Sequence, residues 1–270
     1  MKLMKNKLLI CDLDGTLLDA KGKIDNDSLK KIKEFCEDGG HFVICTGRMD
    51  SDIRYVEQQL GFQGEFRISQ NGAVIKNTQD EAVFNESIPS EYIASLNQAI
   101  FGMNLRTEVS TMQNRLFPSP RDPENVAEFV DTSIVIENLP EYVLQHAEEM
   151  MIYLTFGTAS DFALIKERIE MNLGKDKVGI VQTSPSSLEV FSEKVSKGNA
   201  VSFIMKRLAI SRENVYVAGD AESDVSMFQL TNHAYAVREA ASDIIQQAGR
   251  YQKTVGHIVD EIYSHAKGMN

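Results

Sequence analysis

The chain has 270 residues, 43% of them hydrophobic and 25% charged, and a formal net charge of −11. These values describe a soluble globular protein of one or two domains, long enough to bury a sizeable core. The acidic balance argues against a nucleic-acid or anionic-membrane partner, since either needs a basic face, but it leaves small anionic substrates open.

Lys2, Lys5 and Lys7 precede Leu8–Cys11, an apolar run too short for a secretory segment. No stretch is long enough to span a bilayer. Cys11, Cys36 and Cys45 lack metal-ligand spacing and read as reduced core residues, which places the protein in the cytoplasm.

The run Leu8-Leu9-Ile10-Cys11 has the pattern of a strand buried on both faces of a parallel sheet, and it stops abruptly at Asp12-Leu13-Asp14-Gly15-Thr16. Ligands of such sheets bind beyond the carboxyl ends of the strands. In an extended Asp-x-Asp both carboxylates face the same side, where their repulsion calls for a cation or a proton. A surface turn is the competing reading of a lone Asp-x-Asp-Gly, and the buried strand in front of it favours the functional one. Asn26, Asp27 or Ser28 then caps a helix in which Leu29, Ile32, Phe35 and Cys36 recur at helical spacing, and Gly39-Gly40 ends it. His41–Cys45 is a second short strand, ending in Thr46-Gly47-Arg48. A helix over about 51–60 follows, and then a third strand, Phe66–Ser69, which runs into Gln70-Asn71-Gly72-Ala73. Strand and helix alternate as in a parallel sheet with crossover helices.

The middle of the chain has another rhythm. Ala73–Lys76 and Glu81–Phe84 flank a turn and form a hairpin pattern. Ser90 caps a helix to about Phe101. Short strand patterns at Leu105–Val109, Asn114–Phe117, Ser133–Glu137 and Met150–Phe156 precede a helix from Ser160 to Leu173 and a strand at Lys177–Thr183. This is the pattern of an α+β module, covering 84–187, inserted into a parallel-sheet domain made of 1–83 and 188–270. In the last part Leu188–Phe191 reads as a strand of the first domain. Lys197-Gly198 opens a helix. Val215–Ala218 is a buried strand ending in Gly219-Asp220-Ala221-Glu222-Ser223-Asp224, and a strand at Ala234–Val237 and two helices close the chain.

Asp12 with Asp14, Thr46-Gly47, Lys197, and Asp220 with Asp224 thus stand at strand ends or a helix start. Carboxylates and a backbone carbonyl suit Mg²⁺. Lys197, Thr46 and backbone N–H groups suit phosphate oxygens. A carboxylate beside such a site can attack phosphorus, which gives Asp12 the role of nucleophile and Asp14 that of general acid and base.

These motifs, in this order, resemble those of the haloacid dehalogenase superfamily of phosphohydrolases: Asp12-Leu13-Asp14-Gly15-Thr16 the first, Thr46-Gly47-Arg48 the second, Lys197-Gly198 the third, Gly219-Asp220 with Asp224 the fourth. With Asn71-Gly72-Ala73, the similarity is to the Cof-type branch. It implies a Rossmann-like α/β core with an inserted C2-type α+β cap that closes the site. The implied activity is a phosphatase acting on sugar phosphates or similar small phosphorylated metabolites through an aspartyl-phosphate. The resemblance also implies Mg²⁺ held by Asp12, the Asp14 backbone carbonyl and Asp220 with support from Asp224, and phosphoryl oxygens held by Thr46, Gly47 and Lys197. It further implies a monomer or homodimer with no nucleic-acid or membrane partner. Arg48 has two readings, contact with substrate or an ion pair with the cap, and Asn71 has two, recognition of a substrate hydroxyl or a turn residue. Ser223 departs from the Asn usual in this branch, which changes a supporting contact. A phosphotransferase or mutase shares these motifs. A non-catalytic ligand-binding relative is the third reading, and the intact carboxylates speak against it.

Overall fold

The computed structural model describes residues 3–122, 126 and 128–268. In chain order the first elements are β1 (Leu8–Cys11), α1 (Asn26–Glu37), β2 (His41–Cys45), α2 (Asp50–Leu60), β3 (Phe66–Ser69), β4 (Val74–Asn77) and β5 (Ala82–Asn85). Then come α3 (Ser90–Ile100), β6 (Thr107–Ser110), β7 (Arg115–Phe117), β8 (Ser133–Val135), α4 (Leu139–Gln145), β9 (Ile152–Phe156), α5 (Ala159–Leu173), β10 (Val178–Ser184) and β11 (Ser187–Ser192). The last are α6 (Lys197–Leu208), β12 (Val215–Gly219), α7 (Val225–Phe228), β13 (His233–Val237), α8 (Ser242–Ala248), β14 (Tyr251–Gln252) and α9 (Val255–Ala266). The chain divides into two compact units, residues 1–84 with 196–270, and residues 85–195.

The first unit is built on a sheet with strand order β14-β13-β12-β1-β2-β3-β4-β5 among the described residues. Its strands from β14 to β3 are parallel, and β4 turns back antiparallel on β3. Leu8, Ile10, Val43, Val215 and Val217 point to one face, where they pack with Val201 and Ile204 of α6, Met227 and Phe228 of α7, and Ile244 of α8. On α1, Ile32 and Phe35 are buried, and α9 buries Ile258, Val259 and Ile262. The two helices are pinned to each other where the Gly256 N–H donates to the Ser28 hydroxyl at 2.8 Å. A sheet covered on both faces needs apolar strands throughout, which is why β1 and β12 are uninterrupted apolar runs.

Within that sheet β3 carries a fully buried arginine. Arg67 bonds Asp50 at the start of α2 (Nε–Oδ1 2.7 Å) and Asp80 in the turn between β4 and β5 (Nη2–Oδ1 2.5 Å). A buried charge must be paired, so the ion pair ties a helix start and a hairpin turn to the strand between them.

The second unit has a sheet of order β10-β11-β9-β6-β7-β8 among the described residues. Val109, Leu116, Tyr153, Leu188 and Val190 from this sheet form a core with Ile93, Leu96 and Ile100 of α3 and with Phe162, Ile165 and Ile169 of α5. The buried Tyr153 hydroxyl donates to Asn97 Oδ1 at 2.8 Å, so the one polar group this ring carries inward is satisfied.

The structure corrects several expectations. Leu188–Phe191 belongs to β11, which pairs antiparallel with β9 and β10 in the second sheet, and the division between the units falls at Val195 and Ser196 rather than at 188. The cap of α1 is Asp25, whose carboxylate accepts the Ser28 N–H at 2.8 Å. Asp25 precedes the three candidates, and only from there does the side chain reach the free amides of the first turn. Helix α5 starts at Ala159, one residue earlier than expected, and Thr158 caps it in a reciprocal box with Asp161. Pro89 precedes α3, with no side-chain cap bond.

The turn after α1 leaves no spare room. A Cβ at Gly40 would lie 2.3 Å from Cζ of the buried Phe35 ring. Gly40→Ala lowers stability by about 1–3 kcal/mol through overpacking. Thermal unfolding followed by circular dichroism reads this as a drop of several degrees, and an unchanged midpoint would show that the ring moves aside freely.

Candidate active site

In the first unit Cys11 of β1 is level with Ala218 of β12 and with Ile44 of β2. Asp12, Gly219-Asp220 and Cys45-Thr46 therefore leave the sheet along one edge. From β1 the chain steps to β2 and β3, and after residues 85–195 it returns on the other side of β1 as β12, β13 and β14. The order reverses between β1 and β12, and at such a switch point the flanking loops part and leave a crevice beyond the strand ends. Asp12 and Asp220 stand on its two sides.

Carboxylate oxygens of Asp12, Asp220 and Asp224 all lie within 4.8 Å of one another. Asp224 is fully buried, and its Oδ2 accepts the N–H groups of Asp220 (2.9 Å) and Ala221 (3.0 Å), which fixes the turn after β12. Its Oδ1 accepts from Lys197 Nζ at 2.7 Å, and the same ammonium donates to Asp12 Oδ1 at 2.6 Å. Lys197 is the first residue of α6, capped by the Ser196 side chain, which accepts the Asn199 N–H. Asp220 Oδ1 accepts the Thr16 hydroxyl at 2.7 Å. Gly15, at φ +76°, lets the first turn close on that carboxylate, since a Cβ there would lie 2.4 Å from Asp220 Oδ2.

The electrostatics follow from this crowding. Burial, with Asp224 and Asp220 alongside, pushes Asp12 up to about 7 against the opposing pull of Lys197. Burial works against the charge on Lys197, but Asp12 and Asp224 outweigh it and raise its pKa, so it remains an ammonium. Asp220 is raised as well, first by burial and then by Asp224, against the Thr16 hydrogen bond. One ammonium thus faces three carboxylates. The surplus of negative oxygen donors fits a hard divalent cation such as Mg²⁺.

The Asp14 carboxylate does not join this cluster. It is half-exposed and held by Arg48 in a two-pronged pair, Nε–Oδ2 2.6 Å and Nη2–Oδ1 2.8 Å. Arg48 Nη1 also reaches the fully buried Asp52 at 3.1 Å. Asp14 and Asp52 both belong to the same unit as Arg48. Thr46 is buried, its hydroxyl accepts the Arg48 N–H at 3.2 Å, and its carbonyl accepts the Asn71 N–H at 3.0 Å. Asn71 has φ +56° in the turn after β3, a conformation asparagine tolerates better than most residues. A side chain at Gly47 would meet the Asn71 amide at 3.0 Å. Ser223 is exposed.

Asp12, Lys197, Asp220 and Asp224 are therefore brought together, Thr46, Gly47 and Asn71 form one turn cluster, and Asp14 pairs with Arg48. Sequence reasoning gave no role to Thr16 or Asp52. Asp52 lies four residues after Arg48, a spacing that pairs opposite charges on a helix and could have drawn attention to it. Thr16 lies inside the first motif, but its bond to Asp220 spans 204 positions, and no local signal points to it.

A family model described as haloacid dehalogenase-like hydrolase matches residues 9–255. Phosphatase YwpJ of Bacillus subtilis (strain 168) is 25% identical, with 88% of this chain and 91% of that protein covered. A second protein of Bacillus subtilis (strain 168), named 5-amino-6-(5-phospho-D-ribitylamino)uracil phosphatase YcsE, is 26% identical over 91% of this chain and 88% of its own length. Among solved structures, a HAD/COF-like hydrolase from Plasmodium vivax superposes with a TM-score of 0.80 at 22% identity, covering 97% of both chains. Among the described residues no helix is long and apolar enough to cross a membrane. A match over most of its length, phosphatases as relatives and the shared fold place this chain in the haloacid dehalogenase-like hydrolase family, in its Cof-type branch, as a phosphoric monoester hydrolase.

Proposed function

We propose that the protein is a Mg²⁺-dependent phosphatase of small phosphorylated metabolites, sugar phosphates or similar esters, and that it works through an aspartyl-phosphate on Asp12. The observation that carries this reading is the meeting of buried Asp12, Lys197 and Asp224 with the partly buried Asp220 at the switch point of the sheet. The name of the relative YcsE, whose substrate is a phosphorylated sugar alcohol joined to a heterocycle, supports the substrate class.

Asp12, the Asp14 backbone carbonyl and Asp220 hold Mg²⁺, with Asp224 in support. When bound, the ion supplies positive charge against both the phosphoryl oxygens and the gathered carboxylates. Lys197, Thr46 and the Gly47 N–H hold the phosphoryl oxygens. A carboxylate oxygen of Asp12 bonds to phosphorus as the bond to the leaving oxygen breaks, and that oxygen takes a proton from Asp14. Asp14, then ionised, takes a proton from water. The water oxygen attacks phosphorus, the bond to Asp12 breaks, and inorganic phosphate leaves. Arg48 holds Asp14 beside the site between these steps, so proton delivery requires that pair to open. Residues 85–195 serve as the C2-type cap of this reading and carry substrate choice.

A phosphate-release screen over sugar phosphates, nucleotides and pyridoxal phosphate tests the proposal. Turnover of at least one ester is expected with Mg²⁺ and its loss is expected in excess EDTA, because three carboxylates and a phosphate dianion repel one another without the ion. Full turnover in chelator would overturn the metal requirement.

Asp12→Asn and Asp14→Asn fail differently. Asp12→Asn forms no phosphoenzyme with any substrate. Asp14→Asn loses turnover of sugar phosphates, whose alkoxide leaving group needs a proton, but still transfers phosphoryl from nitrophenyl phosphate and then hydrolyses it slowly. Intact-protein mass spectrometry after acid quench finds phosphate on Asp14→Asn alone. Phosphate on the Asp12→Asn protein would overturn the assignment.

Ser223 is exposed, so Ser223→Asn changes a supporting contact and keeps kcat/KM within about tenfold of the parent. Steady-state kinetics beside Asp220→Ala decides this, and a comparable loss in both would give Ser223 a direct role.

A further inference from the structure

Arg238 follows the last residue of β13 with φ +52°, a left-handed conformation that non-glycine residues seldom adopt. Such strain persists where surrounding contacts over-determine it. Here the side chain makes them. Nε donates to the Thr16 carbonyl at 2.8 Å, and Nη2 donates to the Leu17 carbonyl at 3.4 Å and lies 3.3 Å from Asp25 Oδ2, on the carboxylate that caps α1. The Arg238 carbonyl accepts the Tyr251 hydroxyl at 3.0 Å. One guanidinium, 222 positions away in sequence, thus clamps the turn that follows Asp12-Leu13-Asp14-Gly15.

That turn is wound on the strand end, with the Leu17 N–H donating to the Asp12 carbonyl at 3.3 Å and the Leu18 N–H to the Leu13 carbonyl at 2.8 Å. Its Thr16 hydroxyl holds Asp220 Oδ1 at 2.7 Å. Whatever places Thr16 also places Asp220. We propose that Arg238 is a positioning residue for the metal site: by clamping the Thr16 and Leu17 carbonyls it keeps the Thr16 hydroxyl on Asp220, and so keeps Asp220 where Mg²⁺ binds. This rests on the reading of Asp12, Asp220 and Asp224 as the Mg²⁺ site. A mere tether between α1 and β13 would affect stability and leave Mg²⁺ affinity alone.

The test uses the full chain with Arg238→Gly, Arg238→Lys, Thr16→Val, Asp220→Ala and the double variant Arg238→Gly/Thr16→Val. Mg²⁺ binding is measured by titration calorimetry without substrate, and kcat and KM for nitrophenyl phosphate are measured at saturating Mg²⁺. Glycine accepts the left-handed backbone without strain, so Arg238→Gly removes only the side-chain contacts. It weakens Mg²⁺ binding about tenfold, as loss of a group that orients a metal ligand does. KM stays within about twofold, since substrate contacts are untouched. Arg238→Lys recovers part of the affinity, because one ammonium reaches a carbonyl but cannot fork across two. Thr16→Val weakens binding by a similar factor, and the double variant binds no more weakly than the worse single one, because both act on the same contact.

Parental Mg²⁺ affinity in Arg238→Gly would overturn the proposal, and so would losses that multiply in the double variant. If Arg238→Gly does not fold, Arg238→Lys with Thr16→Val completes the same cycle. Mg²⁺ binding that Asp220→Ala leaves unchanged sinks the metal-site reading itself. Binding lost in Asp220→Ala but kept in Arg238→Gly overturns the role of Arg238 alone.

Discussion

Lys197 is the constraint on which the core depends. Its ammonium, 3% exposed, sits between Asp12 and Asp224 at hydrogen-bond distance from both. A charge so placed is tolerable only while both partners hold their positions, and losing either leaves an uncompensated ion in the interior. Three separate stretches must therefore meet: the end of β1, the turn after β12 and the start of α6. The helix end that supplies Lys197 would favour a negative charge, so a cation at the first position gains nothing from the helix itself. It is held there by the carboxylates. The sheet order serves the same meeting, since β1 and β12 are neighbours only because the chain crosses back over the switch point.

Much of this was legible in the sequence because the signals are local. An apolar run that stops at polar or small residues marks a strand end, and β1 and β12, which run into Asp12 and Asp220, and β2, which runs into Thr46-Gly47, all have that form. What failed was decided by partners far away. Leu188, Val190 and Phe191 read like a core strand, and nothing within them reveals that β9 and β10 flank them antiparallel. Arg67 sits fully buried in the third strand pattern because Asp50 and Asp80 surround it, a pairing visible only once α2 and the hairpin are folded around β3. The α1 cap was misplaced by one to three residues because Asp25, Asn26, Asp27 and Ser28 crowd that helix start and compete for the same amides. In the site, Asp12, Asp220 and Asp224 were legible from motif spacing. The pairing of Arg48 with Asp14, and the clamp of Arg238 on Thr16, join residues too distant in sequence for any pattern to show.

The second unit meets the condition for an insertion. Its own core closes between its sheet and helices α3 and α5. Its first and last residues also lie together: Ser192 Oγ donates to Glu86 Oε1 at 3.0 Å, and Lys194 Nζ is 3.7 Å from the same oxygen. A module whose ends meet can be spliced into a loop of another domain without stretching it. That explains why about a hundred residues can intervene between β5 and α6 while the parallel sheet keeps its register on both sides of β1.

Two carboxylates two residues apart in the first motif have been given different surroundings. Asp12 is 6% exposed among other acids, and burial with those neighbours holds its proton to about 7. Asp14 is half in solvent and is gripped by a guanidinium. Pairs of titratable groups placed in contrasting environments are how a site divides chemical labour. On the proposed reading the ionised form of Asp12 is the nucleophile, and near neutral pH a cation beside it would favour that form by displacing the proton. Under that proposal, the crowding that makes Asp12 reluctant to ionise alone would link its readiness to attack to the arrival of positive charge. Glycine at position 15 permits the separation, because the chain turns sharply enough there for Asp14 to face away while Thr16 comes back to Asp220.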